Sequence, residues 1–377
     1  MAPTENFDDI RPYNDHEVAQ AMKRIAQSPE FDVLAAYVYP DEPVDTVRRR
    51  ISSYTTTAEF QRNTMYWVNR RIIADTISQF SYSGFQWLDP STPYLYISNH
   101  RDIMLDASLL QNCLVDNGFD TSEITFGANL MMSPTIIDIG KSNKMFRVER
   151  PSDNMREFYQ ASRHLSEYIR HTITHKRRSV WIAQRNGRTK DGRDATDQGL
   201  IKMLCLSGPD DKAAALAELN IVPIAISYEW ESCDILKALE LYSARSAKYV
   251  KKPGEDLNSI LTGILQPKGQ VHIELCKPIT AIELASASGA ACGYNQAVAA
   301  VIDARVNSAY RLYPNNYIAH DTLLNSTEHA AHYTAQQREA FLKRLGELKR
   351  YDGTHDLSLL TEIFLKIYSN PVDEHIG

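Results

Sequence analysis

Short apolar runs at 95–98, 124–126, 179–183, 221–227 and 271–275 punctuate the middle of the sequence, and longer segments with helical patterning lie between several of them. Runs of three to seven residues built from Ile, Val, Leu, Tyr and Trp are too short for core helices and read as buried strands. Strands alternating with helices predict an α/β fold, a central mixed sheet flanked by helices.

The flanks are patterned differently. Val18, Ala21, Met22, Ile25 and Ala26, then Val33, Leu34 and Val38, recur at helical spacing, and Pro29 and Pro40 divide them into two short helices. A second helical stretch is predicted over 57–81, carrying Phe60, Met65, Trp67, Val68, Ile72, Ile73, Ile77 and Phe80, with Gly84 just beyond. Beyond residue 280 the spacing predicts helices over 296–310, 335–349 and 357–368. The segment 311–324, with its Pro-Asn-Asn, reads as a connector. The expected organisation is a helical N-terminal region (1–85), an α/β domain (86–280) and a helical C-terminal region (281–377).

Of the 377 residues, 43% are hydrophobic and 23% charged, which excludes a collagen-like or disordered chain. A net charge of −6 argues against a general nucleic-acid binder. The first residues lack a basic stretch followed by an apolar run, so no signal peptide is expected. The longest uncharged run, 284–302, is mostly small residues, so no membrane span is expected and the chain reads as soluble or peripheral. Five cysteines without a C-x-x-C pair imply free thiols in a reducing compartment. Charge is uneven: residues 141–202 hold 15 Lys and Arg against 7 Asp and Glu, a basic segment in an acidic chain that suggests a site for phosphate or carboxylate.

The stretch Ser98-Asn99-His100-Arg101-Asp102-Ile103-Met104-Leu105-Asp106 carries the most chemistry. A strand delivers Asn99 and His100 at its carboxyl end, where ligands of open α/β sheets bind. A histidine beside a carboxylate is a general-base pair, the carboxylate fixing the imidazole tautomer. Two partners compete: Asp106, at the start of the following helix, and Asp102, which could instead cap that helix.

Three later segments follow in order: Asn143-Lys144-Met145-Phe146-Arg147-Val148-Glu149-Arg150, then Trp181-Ile182-Ala183-Gln184-Arg185-Asn186-Gly187-Arg188-Thr189, then Ile221-Val222-Pro223-Ile224. With these, residues 90–280 resemble the glycerolipid acyltransferase superfamily, which includes lysophosphatidate and glycerol-3-phosphate acyltransferases. Two departures stand out. The family spaces its His and Asp by four residues and this chain by five, and the family's Glu in the third motif is Asn186 here.

The resemblance implies transfer of an acyl group from a thioester, acyl-CoA or acyl-carrier protein, to a hydroxyl of glycerol 3-phosphate or a lysophospholipid. In that scheme His100 is the base and Asp106 its orienting partner. Asn99, Phe146, Arg150, Arg185, Asn186, Gly187 and Arg188 are the substrate-binding residues, with the three arginines set for the acceptor phosphate. The scheme needs no metal and no cofactor. It implies no nucleic-acid partner, and a cytoplasmic protein peripheral on the inner face of a membrane. Leu130-Met131-Met132 with Ile136-Ile137 reads as an acyl-chain wall, a membrane contact or core. A non-catalytic acyl-thioester or lipid binder on the same fold is the alternative. A His/Asp hydrolase is less favoured, because no G-x-S-x-G element is present. His171 with His175, and His329 with His332, read as ordinary histidines, and 191–194 lacks the spacing of a calcium loop.

Overall fold

A computed structural model describes residues 6–149, 154–245 and 249–376. Its strands are β1 (Ile77–Ser83), β2 (Leu95–Ser98), β3 (Glu123–Gly127), β4 (Met145–Val148), β5 (Val180–Ala183), β6 (Ile221–Tyr228) and β7 (Gly269–Leu275). They form one seven-stranded sheet in the order β1-β7-β6-β2-β5-β3-β4. β2 to β6 run parallel to one another; β7 pairs antiparallel with β6 and parallel with β1. This is the expected α/β architecture, a mixed sheet with helices on its faces.

The sheet is buried on both faces because alternate side chains of each apolar run enter different cores. Leu95, Ile97, Val180, Ile182, Ile221 and Ala225 pack with the Met155–Thr174, Gln198–Leu204 and Tyr294–Ala309 helices. Tyr96, Trp181, Val222, Ile224, Ile226 and Tyr228 pack on the opposite face with the Leu105–Asp116 helix and Ile72 of the Tyr66–Thr76 helix. Two further cores lie outside the sheet. One joins the N-terminal helices through Val18, Met22, Val47 and Phe60; the other joins Ile235 to Ile318, Phe341 and Phe364.

The paired helices at Asp15–Ala26 and Phe31–Val38 match the proline-divided pattern. Three expectations are corrected. The helix predicted to reach residue 81 ends at Thr76, and Ile77 to Ser83 leave it as the edge strand β1, paired with β7. β4, at the opposite edge, is a strand inside a segment whose patterning does not predict one. The Pro-Asn-Asn of the expected connector opens a helix, Pro314–Leu324. Proline at the first helical position gives up an N–H that has no partner there anyway, so the same residue marks a turn or a helix start.

Candidate active site

The parallel strands β2, β3, β4, β5 and β6 send their carboxyl ends to one edge of the sheet, and there the loops carrying the chemistry converge. β2 sits between β5 and β6, so His100 emerges flanked by the β5 loop and the β6 loop. Nδ1 of His100 lies 2.9 Å from Oδ2 of Asp106. The backbone N–H groups of Arg101 and Asp102 donate to the same oxygen at 2.7 and 2.9 Å, and the Tyr228 hydroxyl donates to Oδ1 at 2.8 Å. Oδ2 is thus held as an acceptor, which places the ring proton on Nδ1 and leaves the Nε2 lone pair for chemistry. Burial, then the charge of Asp106, pushes the Tyr228 hydroxyl well up, so it stays a donor. The imidazole packs edge-on against Trp181 at 5.8 Å and is 13% exposed, enough for a reactant to reach it, while Asp106 is fully buried.

The five residues between His100 and Asp106 are accommodated before the helix begins. Arg101 to Met104 form a bent segment, and the helix starts at Leu105. Asp102 serves that start: its Oδ1 accepts from the N–H groups of Met104 and Leu105, both at 2.8 Å, and its Oδ2 accepts from the Ser232 hydroxyl. The two acidic partners that the sequence left open therefore have separate places, Asp106 on the imidazole and Asp102 on the helix terminus.

Beneath this pair lies a buried charge network. The Arg101 guanidinium is 1% exposed and donates to Asp194 at 2.7 and 3.1 Å, to Glu231 at 3.2 Å and to the Gly192 carbonyl at 3.0 Å, and it stacks over Tyr310 at 4.9 Å. Burial pulls this guanidinium down, but Asp194, Tyr310 and Glu231 outweigh it and hold the charge. Lys237, also fully buried, donates to the Arg101 carbonyl at 2.7 Å and to Glu231. Asp194 further accepts from Asn99 and from the Thr189 hydroxyl, so one carboxylate ties the β2 loop to the β5 loop. The C-terminal helix, Leu357–Ile376, braces this network. The Tyr368 hydroxyl donates to Asp234 at 2.9 Å and accepts from the Glu231 N–H, and Asn370 donates to the Asp191 carbonyl at 2.7 Å. Gly192, at φ +83°, leaves room for the Ile367 carbonyl oxygen, which would stand 2.2 Å from a Cβ.

The expected substrate residues separate into three groups. Asn99 and Phe146 are packed into the interior behind the site. Asn99 is fully buried, with its amide bonded to Ile226 N–H and C=O and to Asp194. Phe146 is fully buried in the sheet core against Tyr168. Arg150 lies outside the described residues. Arg185, Asn186, Gly187 and Arg188 form the turn after β5, with Asn186 exposed and Gly187 at φ +78°. This turn sits on the dyad's backbone, since Thr189 N–H donates to the His100 carbonyl at 2.7 Å.

Arg188 is the unusual member. It is 8% exposed, it makes no hydrogen bond or ion pair with any described residue, and its buried NH1 has no partner. The other buried cations of the basic segment do have carboxylate partners, Lys144 with Asp120 and Arg170 with Glu218. The field of Arg188 reaches the Cys233 thiol, which burial pushes up and Arg188 draws back. Gln184, fully buried at the end of β5, also lacks partners for both amide atoms. Sequence reasoning missed Gln184, and missed Asp194, Glu231 and Lys237. The one signal for Gln184 was a polar residue closing an apolar strand; Asp194 and Glu231 carried none, because Arg101 lies 93 and 130 residues away. Leu130, Met131, Ile136 and Ile137 are half-buried and Met132 is exposed, and they follow β3, so this apolar ledge stands at the same sheet edge.

No family model and no curated protein matches the sequence. Among solved structures, the fold is similar to that of the 1-acyl-sn-glycerophosphate (LPA) acyltransferase PlsC from Thermotoga maritima, with 11% identity and a TM-score of 0.37, over 77% of this chain and 94% of that one. A likeness at that level is distant and carries no argument about the chemistry.

Proposed function

We propose that the chain is an O-acyltransferase that moves a fatty acyl group from acyl-CoA or acyl-carrier protein to a hydroxyl of glycerol 3-phosphate or a lysophospholipid. The observation that carries this reading is the oriented His100–Asp106 pair, at the carboxyl end of a central strand, beside a loop holding a buried arginine with no partner among the described residues. The motif resemblance of residues 90–280 points the same way.

His100 Nε2 takes the proton of the acceptor hydroxyl as its oxygen attacks the thioester carbonyl. Asp106 accepts the Nδ1 proton throughout and stabilises the imidazolium. The tetrahedral intermediate collapses with cleavage of the C–S bond, and His100 returns the proton to the leaving thiolate. Arg188, with Arg185, holds the acceptor phosphate, and a phosphate satisfies the guanidinium that the protein leaves unpaired. The ledge after β3 receives the acyl chain.

No helix among the described residues is long and apolar enough to cross a membrane. Contact with a membrane surface is supported by the Glu255–Leu265 helix. Its Ser259 carbonyl accepts from the Cys233 thiol, and Gly263 packs against Asp102 and Ser232 of the site. On the opposite side Leu257, Leu261 and Leu265 are 42–61% exposed. Such a face suits an interfacial helix. Flotation with liposomes should carry the protein upward, and Leu261→Glu with Leu265→Glu should leave it at the bottom. Wild-type protein that stays at the bottom with neutral and anionic vesicles removes the membrane from this reading.

The deciding experiment measures thiol release from a long-chain acyl-CoA, with glycerol 3-phosphate and several lysophospholipids as acceptors, for the wild type and for His100→Ala. The expected result is acceptor-dependent release that falls about 10²–10⁴-fold in the variant. Acceptor-independent release lost in the variant makes the chain a hydrolase. No release from any donor, acyl-carrier protein included, together with bound acyl-CoA, makes it a non-catalytic binder.

A further inference from the structure

The histidines of the C-terminal region come together in a way their spacing does not suggest. His332, the neighbour of His329 in the chain pattern, is exposed, stacks on Tyr317 at 4.2 Å and only tilts toward His329 at 6.1 Å. His329 instead lies against His320, with ring centroids 4.8 Å apart and near perpendicular, and beside Asp321. His320 and Asp321 lie near the end of the Pro314–Leu324 helix, and the chain returns through a short loop to deliver His329. The N–H of His329 donates to the Asp321 carboxylate at 3.1 Å, which fixes that return, and the Tyr333 hydroxyl donates to Asp321 Oδ2 at 2.7 Å.

All three side chains are buried: His320 is 8% exposed, Asp321 3% and His329 7%. Two ring nitrogens, His320 Nδ1 and His329 Nε2, are buried with no hydrogen-bond partner. An orphaned buried polar atom costs about 1–3 kcal/mol, and two in one cluster demand a reason. One ligand atom from each of the three residues lies within 4.8 Å of the others, and among the described residues no other group of His, Cys, Asp and Glu converges in this way. Metal–nitrogen and metal–oxygen bonds of about 2.0–2.2 Å require the three atoms to draw closer, a movement that imidazole rotation can supply.

We propose that His320, Asp321 and His329 form a binding site for a divalent first-row transition metal, Zn²⁺ above all, with water completing the coordination. Two imidazoles and one carboxylate suit zinc and its neighbours and disfavour calcium and magnesium, which take oxygen ligands. The remaining nitrogen of His320, Nε2, faces Asp373 Oδ1 at 3.4 Å. A carboxylate in that place orients a metal-bound imidazole and raises its basicity. Asp373 stands on the C-terminal helix that braces the charge network under His100, so the metal ties that helix to the Pro314–Leu324 helix. Its role is structural, and it shares no residue with the acyl-transfer site.

The test uses the full chain, stripped with a chelator and titrated with Zn²⁺ and, separately, Co²⁺. One equivalent of Zn²⁺ should bind and raise the unfolding temperature, with reversal by chelator, and Co²⁺ should give a visible ligand-field spectrum. His329→Gln and His320→Gln should each abolish that equivalent, and Asp373→Asn should weaken it by about tenfold or more. Replacing both His171 and His175, which stack on one another at 5.1 Å elsewhere in the chain, should change nothing. Wild-type protein that takes up neither metal overturns the proposal, and so does an equivalent lost with His171 and His175 but kept in His329→Gln. If one imidazole variant fails to fold, the other and the wild-type cobalt spectrum still decide.

Discussion

The loops after β2 and β5 leave the sheet side by side and treat buried polar groups in opposite ways. After β2, the buried groups have partners: Arg101 has Asp194, Glu231 and Tyr310, Asp102 has a helix terminus and Ser232, and Asp106 has four donors. After β5, Gln184, Arg188 and Thr196 carry buried atoms with none. The first loop is a finished scaffold that positions an imidazole. The second leaves buried hydrogen-bonding capacity unused at the sheet edge, and groups of that kind call for an explanation. Paired and unpaired charges therefore serve different ends. In the reading proposed above, the network holds the base in place, and the guanidinium without a partner among the described residues is left for an anion.

The comparison breaks most severely if the hub shared by both loops is removed. Asp194→Ala leaves Arg101 buried with Glu231 as its remaining carboxylate partner and unties the β5 loop. Urea unfolding should show a loss of about 3–5 kcal/mol, the usual penalty for half of a buried ion pair. A loss below about 1 kcal/mol would mean that the network does not hold the scaffold. Arg188→Met sharpens the contrast in the other direction. Removing a buried charge without a partner should leave the unfolding free energy unchanged or higher. In the same protein the acceptor KM should rise about tenfold or more, the loss of a charged hydrogen bond worth roughly 1.5–3 kcal/mol. A clear loss of stability with an unchanged KM would return Arg188 to the scaffold.

The smallest effect concerns Glu374, where the C-terminal helix approaches the network. Burial, then the charge of Asp194, pushes its carboxyl up to about 7, against the opposing pull of Arg101 and Arg193. The native state keeps this proton at pH values where the unfolded chain has lost it. The stabilisation is fully present below about pH 4.5 and fades as pH rises to about 7. Glu374→Gln should flatten the stability profile across that window, and an identical profile in the two proteins would show that Glu374 does not couple to the network.

Much of the central sheet was legible because its strands are short, continuous apolar runs, as burial on both faces requires: Leu95 and Ile97 enter one core and Tyr96 the other. β1 was not legible, since Ile72, Ile73, Ile77 and Phe80 keep helical spacing past the residue where the helix ends, and pairing with β7 overrides it. At the site, His100 and Asp106 are close enough in the chain for a motif to connect them. Arg101, Asp194 and Glu231 are not, because Asp194 lies 93 residues from Arg101 and Glu231 lies 130. Each looks like an ordinary surface charge until folding brings it to its partner. The same limit hid the His320–His329 contact, which a helix end and a loop separate in the chain.

The brace that Tyr368 and Asn370 provide has a temporal meaning. A ribosome that has made His100 and Asp106 must add roughly 270 further residues before this helix is complete. At about 10 residues per second that is close to half a minute. For about the last half of that interval β2, β5 and β6 can pair and Arg101 can find Asp194 and Glu231, while the hydroxyl that ties Glu231 to Asp234 and the amide that holds the Asp191 loop have not yet been synthesised. The dyad is therefore encoded early and completed late, and a nascent chain holds the parts of the site well before it holds the site.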